Sequence, residues 1–188
     1  MVFIIFAIHL PMLRDERDQL SSAYRDHFDW CQQSGRYIKQ DDLVNMLQRK
    51  EKILVIDVRD DDHRGGKVTG SVHFPDSTFW DNISDVASQI QQDTTVVFHC
   101  MESARRGPRC AFRLHKYLGE TQPQLRCNIC VLTGGADRWV RRFFKDSALV
   151  EDFDNDYWGW DLQADEVQSG QPTHVLYSRE AGEYPEQQ

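Results

Sequence analysis

The chain has 188 residues, 40% of them hydrophobic and 11% aromatic, enough for one globular domain with its own core and further sequence at the ends. The formal net charge of -8 is unevenly spread: residues 151–188 hold ten Asp or Glu against one basic residue, Arg179, which gives -9 and leaves about +1 for everything before them. This excludes a basic nucleic-acid footprint, and five scattered cysteines, an odd number in a chain too large to need disulfide staples, point to free thiols in the cytoplasm or nucleus.

The first segment, Met1–Leu10, is apolar but lacks a basic flank and a small-residue cleavage pattern, and it is far shorter than the ~20 residues of a membrane span. Neither a signal peptide nor a membrane anchor is expected, and Met12 offers an alternative start. Residues 12–35 are polar with Tyr24, Phe28 and Trp30, compatible with one packed helix or a loosely held extension. Tyr37-Ile38 reads as a short strand, and Gln40-Asp41-Asp42 caps a helix carrying Leu43, Val44, Met46 and Leu47 that ends in Arg49, Lys50 and Lys52. Ile53-Leu54-Val55-Ile56 is a continuous apolar run, the mark of a strand buried on both faces. A Gly65-Gly66 turn follows, then a strand at Ser71–Phe74 stopped by Pro75, and helical spacing of Ile83, Val86, Ala87 and Ile90 between Asp81 and Gln91.

Thr94–Phe98 is the strongest strand and runs straight into His99-Cys100. Beyond it, Pro108 suits the first turn of a helix whose face carries Ala111, Leu114 and Leu118 and which ends near Gly119. Cys130–Leu132 is the last strand, Gly134-Gly135 a turn, and Ala136–Phe144 the last helix, carrying Trp139 and Phe143. Strands alternating with helices predict an α/β domain with a central, mostly parallel sheet covered on both faces. The expected limits are an N-terminal extension over 1–36, the catalytic domain over 37–147 and an acidic C-terminal tail over 148–188. That tail is either a solvated appendage or an arm that meets a partner.

Cys100 stands at the carboxyl end of a central strand and just before a helix, where open α/β sheets collect their chemistry. The seven residues from Cys100 to Arg106 can turn their backbone N–H groups inward as a nest for a tetrahedral oxyanion, with Met101, Glu102, Ser103, Ala104, Arg105 and Arg106 as the cradle. The helix dipole and the Arg106 charge favour the thiolate, and the planar fork of Arg106 suits two equatorial oxygens of the anion. Ser103 is placed to donate to the thiolate as it leaves. His99 is expected to support the loop by hydrogen bonding to backbone. Glu102 is the one acid in the loop and a candidate general acid, with Asp60, Asp61, Asp62 and His63 as others from the loop after the second strand.

His99-Cys100-x-x-Ser103-x-x-Arg106-Gly107-Pro108, preceded by Ile56-Asp57-Val58-Arg59 and by Gly65–Pro75, resembles the rhodanese-fold phosphatases. It is similar in particular to the M-phase inducer dual-specificity phosphatases and to the eukaryotic arsenate reductases related to them, over roughly Tyr37–Phe144. The resemblance implies a rhodanese-like domain with Cys100 as nucleophile, Arg106 as the oxyanion-binding arginine, and Asp57 and Arg59 as supports beside the loop. It also separates the chain from sulfurtransferases, whose loop is one residue shorter. Where the M-phase inducers have a glutamate just before the arginine, this chain has Arg105, which makes the pocket more basic and leaves their proposed acid without a counterpart.

The expected activity is phosphotyrosine or dual-specificity phosphatase action on a phosphoprotein through a phosphocysteine. The alternative is reduction of arsenate, a small oxyanion, with glutathione or glutaredoxin as reductant. A non-catalytic rhodanese-like binding module and a sulfurtransferase follow behind. Cys110, four residues past Arg106, is a candidate resolving thiol whose alternative is a small core residue. Cys127-Asn128-Ile129-Cys130 has the spacing of a redox or zinc pair but no second pair to close a zinc site. Neither a metal nor any other cofactor, and neither a nucleic acid nor a membrane, is expected as a partner.

Overall fold

The computed structural model describes residue 27 and residues 29–158 and places the apolar runs in parallel register. The strands are β1 (Tyr37–Ile38), β2 (Ile53–Asp57), β3 (Lys67–Val68), β4 (Val72–His73), β5 (Thr94–His99), β6 (Cys127–Leu132) and β7 (Val150–Glu151). Five of them form a sheet in the order β1-β6-β5-β2-β4, and every pairing within it is parallel. The helices are a segment over 29–33 (α1), α2 (Gln40–Gln48), α3 (Ile83–Ser88), α4 (Arg106–Thr121) and α5 (Gly135–Phe143).

Both faces of the central strands are buried, as their unbroken apolar runs require. Ile56, Val58, Val96, Phe98, Ile129 and Val131 point to one face and join Phe79, Val86, Ala111 and Leu114 in one core. Their neighbours Val55, Val97, Cys130 and Leu132, pointing the other way by the period of two along a strand, are buried as well. Register then carries chemistry: Asp57 of β2 lies opposite His99 of β5 on one side and His73 of β4 on the other.

Several elements differ in detail from expectation. Asp42 caps α2 by accepting from the Lys39 amide at 3.3 Å. Helix α4 begins at Arg106 itself and runs past Gly119 to Thr121, with Pro108 in its first turn, where no N–H is needed. Strand β6 begins at Cys127, three residues earlier than the apolar run suggests. Of the N-terminal segment, Trp30 meets Phe112 edge-to-face and His27 meets it tilted, with ring centroids 5.5 and 4.7 Å apart, and Cys31 is fully buried, so this stretch packs on α4. Tyr24, Phe28 and Met1–Leu10 lie outside the described residues.

Order continues beyond Ser147. Val150 and Glu151 pair antiparallel with Val68 and Lys67, and the fully buried Trp139 donates its indole N–H to the Leu149 carbonyl at 2.9 Å. The packed unit runs to Asp154, followed by one helical turn, α6 (Asn155–Trp158). Trp160 and the rest of the acidic tail lie outside the described residues. Among the described residues no helix is long and apolar enough to cross a membrane.

Candidate active site

The loop that follows β5 is held from outside by backbone. The amides of Ala136 and Asp137, at the start of α5, donate to the carbonyls of Cys100 and Met101, each at 2.9 Å. Because C=O and N–H point in opposite directions across a trans peptide, these two bonds turn the N–H groups of Met101 and Glu102 away from α5. Ser103 then takes a left-handed conformation, φ +59°, the kind of reversal that makes consecutive N–H groups converge into an anion-binding nest. Among the described residues no carbonyl accepts from the amides of residues 101–105.

The approach of α5 requires glycine at 135. Its φ is +58°, and a Cβ there would overlap the carbonyl oxygens of Cys100 and Met101, which are backbone atoms unable to swing aside. Gly135→Ala is therefore expected to destabilise the fold by about 2 kcal/mol or more and to release the loop from α5. A denaturant midpoint within experimental error of the parent would contradict this.

Cys100 is 4% exposed and Ser103 3%, whereas Glu102, Ala104 and Arg105 face solvent. The Ser103 hydroxyl has no hydrogen-bond partner among the described residues, unusual for a buried polar group and consistent with a donor kept for a ligand or thiolate. Arg105 is exposed and has no ion pair among the described residues. The loop after β2 instead brings carboxylates to Arg106: Asp62 receives Nη1 at 2.6 Å and Nη2 at 2.5 Å, and Asp60 receives Nη1 at 3.1 Å. The Asp62 hydrogen bonds, supported by Asp60 and by the sulfur of Cys100, raise the Arg106 pKa further. In turn the Arg106 hydrogen bonds hold the Asp62 carboxyl below its usual range. Of the four residues considered as acids in this loop, Asp60 and Asp62 meet Arg106, Asp61 is exposed, and His63 stacks on His73 with ring centroids 3.8 Å apart.

Behind the loop lies a buried ionic core. Arg59 gives Nε and Nη2 to both oxygens of Asp57 at 2.7–3.0 Å. Its other donors reach the carbonyls of Asp62, Arg64 and Gly66 at 3.4, 3.0 and 2.8 Å, so one guanidinium ties the turn over residues 60–66 to the sheet. His73 Nε2 donates to the Arg59 carbonyl at 2.7 Å. His99, which the sequence suggests would bond to backbone, makes only a weak contact to the Cys100 backbone, and among the described residues neither ring nitrogen has a partner at full hydrogen-bond geometry. Its Nε2 lies 3.7 Å from Asp57 Oδ2, and burial keeps its pKa below the ordinary 6.5, against the pull of Asp57.

Of the other thiols, Cys31, Cys110 and Cys130 are buried and Cys127 is half-buried. Cys110, the candidate resolving thiol, is fully buried and donates to Asp76 Oδ1 at 3.1 Å; burial and the Asp76 charge disfavour its thiolate. Asp76 also binds Arg109. Cys127 and Cys130 stand an odd number of residues apart on β6 and so point to opposite faces, which rules out their acting as a chelating pair. Burial pushes Cys130 up to about 12 and Cys31 up to about 11. Among the described residues no group of three or more His, Cys, Asp or Glu is disposed to hold a metal ion.

Sequence reasoning found the loop but missed the amides of Ala136 and Asp137. The Gly134-Gly135 pair before a helix was their only local signal.

Residues 39–142 match the family model of the rhodanese-like domain. The chain is similar to a curated protein named dual specificity phosphatase Cdc25 from Arabidopsis thaliana, 39% identical over 95 residues, which covers 50% of this chain and 65% of that one. It is also similar to arsenate reductase 2.1 from Oryza sativa subsp. japonica, 32% identical over 136 residues, covering 71% of this chain and 82% of the relative. Among solved structures it resembles Ygr203w, described as a yeast protein tyrosine phosphatase of the rhodanese family, with 27% identity and a TM-score of 0.57 over 65% of this chain and 95% of that one.

Proposed function

Since this chain belongs to the rhodanese-like domain family, we propose that it is a cysteine-dependent phosphatase that cleaves phosphate monoesters, phosphotyrosine first among them, through a phosphocysteine at Cys100. The observation that carries this reading is the loop itself: a cysteine just after β5, amides over residues 101–105 that no carbonyl among the described residues engages, and Arg106 at the start of α4. The Cys100 thiolate attacks phosphorus as the ester oxygen leaves with the bonding pair and takes up a proton. Converging amides and Arg106 stabilise the charge on the equatorial oxygens. Water then attacks the phosphocysteine, phosphate departs, and the sulfur leaves as thiolate with the Ser103 hydroxyl donating to it.

Glu102, the loop carboxylate exposed at the rim, is the proposed proton donor to the leaving oxygen. Asp62 is a poor donor, because Arg106 stabilises its ionised form. Replacement of Glu102 by Gln is thus expected to leave an aryl ester with an acidic phenol within a few-fold of the parent and to slow phosphotyrosine by about 100-fold. Equal effects on both esters would remove Glu102 from that role.

The relatives named arsenate reductases support a second reading, in which Cys100 attacks arsenate and an external thiol of the glutathione or glutaredoxin type reduces the adduct. Burial disfavours the thiolates of Cys31, Cys110, Cys127 and Cys130, so this chemistry needs a reductant from outside, whereas hydrolysis needs only water. The deciding experiment compares aryl phosphate hydrolysis with glutathione- and glutaredoxin-coupled arsenate reduction, Cys100→Ser serving as blank. Cys100-dependent phosphate release without arsenate-dependent thiol oxidation is expected. The opposite result would assign the reductase.

A further inference from the structure

We infer that Asp62, helped by Asp60, is a positioning residue for Arg106: the two carboxylates occupy the end of the guanidinium and its Nη1 side and present the Nε–Nη2 edge to the oxyanion. The inference rests on the assignment of the Cys100–Arg106 loop as an oxyanion site. A guanidinium has five N–H donors in fixed directions, one on Nε and two on each Nη. Asp62 takes one from Nη1 and one from Nη2, bridging the end of the fork, and Asp60 takes the second from Nη1. The two that remain, on Nε and Nη2, are parallel neighbours on one edge, the pair that matches two oxygens of a tetrahedral anion. A free arginine at this position rotates between its edges; this one is held at three donors.

The clamp is itself anchored. Asp62 Oδ1 also accepts the Asp60 amide at 3.0 Å, and Asp60 Oδ1 accepts the Ser77 amide at 2.9 Å. The turn that carries both is fastened to the buried Asp57–Arg59 pair through the Asp62 and Arg64 carbonyls. A rigid path therefore runs from β2 to the arginine on α4. Asp60 and Asp62 are 29% and 32% exposed, so their contribution lies in orientation more than in net attraction.

The test uses the full chain with Asp62→Asn, which keeps the shape but turns an N–H₂ group toward the guanidinium, and with Asp62→Glu, which restores the charge one methylene out of place. Two readouts are taken: kcat and KM for an aryl phosphate, and the affinity of tungstate for the same variants in a Cys100→Ser background by calorimetry. Asp62→Asn is expected to lower kcat/KM about 10- to 100-fold and to weaken tungstate about tenfold, with an unchanged unfolding midpoint, and Asp62→Glu to recover part of both. If Asp62→Asn binds tungstate as tightly as the parent or more tightly, the carboxylates compete with the anion or merely stand by, and the inference is overturned. Should the parent neither hydrolyse aryl phosphate nor reduce arsenate while tungstate binding still weakens in Asp62→Asn, the positioning role stands and the proposed reaction falls. Absence of tungstate binding by the parent overturns both. Where Asp62→Asn fails to fold, Asp62→Glu and Asp60→Asn carry the same comparison, each expected to weaken tungstate by a smaller factor.

Discussion

Cys100→Ser is expected to lower turnover by about 10,000-fold or more, and Arg106→Lys by about 100- to 1,000-fold. The two losses have different origins. A serine hydroxyl at 100 stays protonated at neutral pH, and the adjacent His99 is no ready base for it, its nearest ionic partner being Asp57. The nucleophile is then lost while the cradle remains, so the serine variant should still bind tungstate. Lysine at 106 keeps a positive charge but presents a point rather than a fork. It cannot pair with both oxygens of Asp62 and also offer a parallel pair of donors to an anion. Arg106→Lys should therefore lose oxyanion affinity together with turnover. Single-turnover kinetics and calorimetry on the two variants separate these effects. Retention of more than about one per cent of turnover in Cys100→Ser would exclude Cys100 as the nucleophile.

The parts of this site that were legible in the sequence are those built from contiguous residues. The run Thr94–His99 has to end at Cys100, and a helix starting at Arg106-Gly107-Pro108 brings amides and a cation to the sulfur. What escaped detection depends on residues far apart in the chain. Two-residue strands such as β3 and β7 have no period to read, and their pairing spans more than eighty residues, so the end of the domain looked like tail. In the sequence Asp60, Asp61 and Asp62 are indistinguishable candidates for the acid. Only the fold, through Arg59 holding the carbonyls behind them, aims Asp60 and Asp62 at Arg106 while Asp61 faces water.

Asp57→Asn is expected to destabilise the fold by about 3–5 kcal/mol, the effect of leaving a buried guanidinium without its counter-charge. Arg59 is 1% exposed and Asp57 fully buried, and the carbonyls that also bind Arg59 satisfy its donors without neutralising it. The pair governs acid stability too. Burial pushes the Asp57 pKa up, but His99 and the Arg59 hydrogen bonds outweigh it, and the carboxyl is held below the usual value. Its contribution is therefore complete above about pH 3.9 and is lost as the pH falls through the depressed value. His99 shares this sign for a different reason: burial keeps it neutral, so the stability tied to it is complete above about pH 6.5 and declines as the pH drops toward its lowered value. His63, also lowered by burial, adds to the same decline. Because Asp57 is what draws protons toward both imidazoles, Asp57→Asn should carry the cost of the orphaned arginine already at neutral pH and should protonate the two histidines only at still lower pH. Urea unfolding at pH 7.5 and 5.5 for the parent, Asp57→Asn and His99→Gln measures both effects. A loss below about 1 kcal/mol for Asp57→Asn at pH 7.5 would show the pair to be dispensable. Parent stability that rose on acidification to pH 5.5 would reverse the sign assigned to His99 and His63.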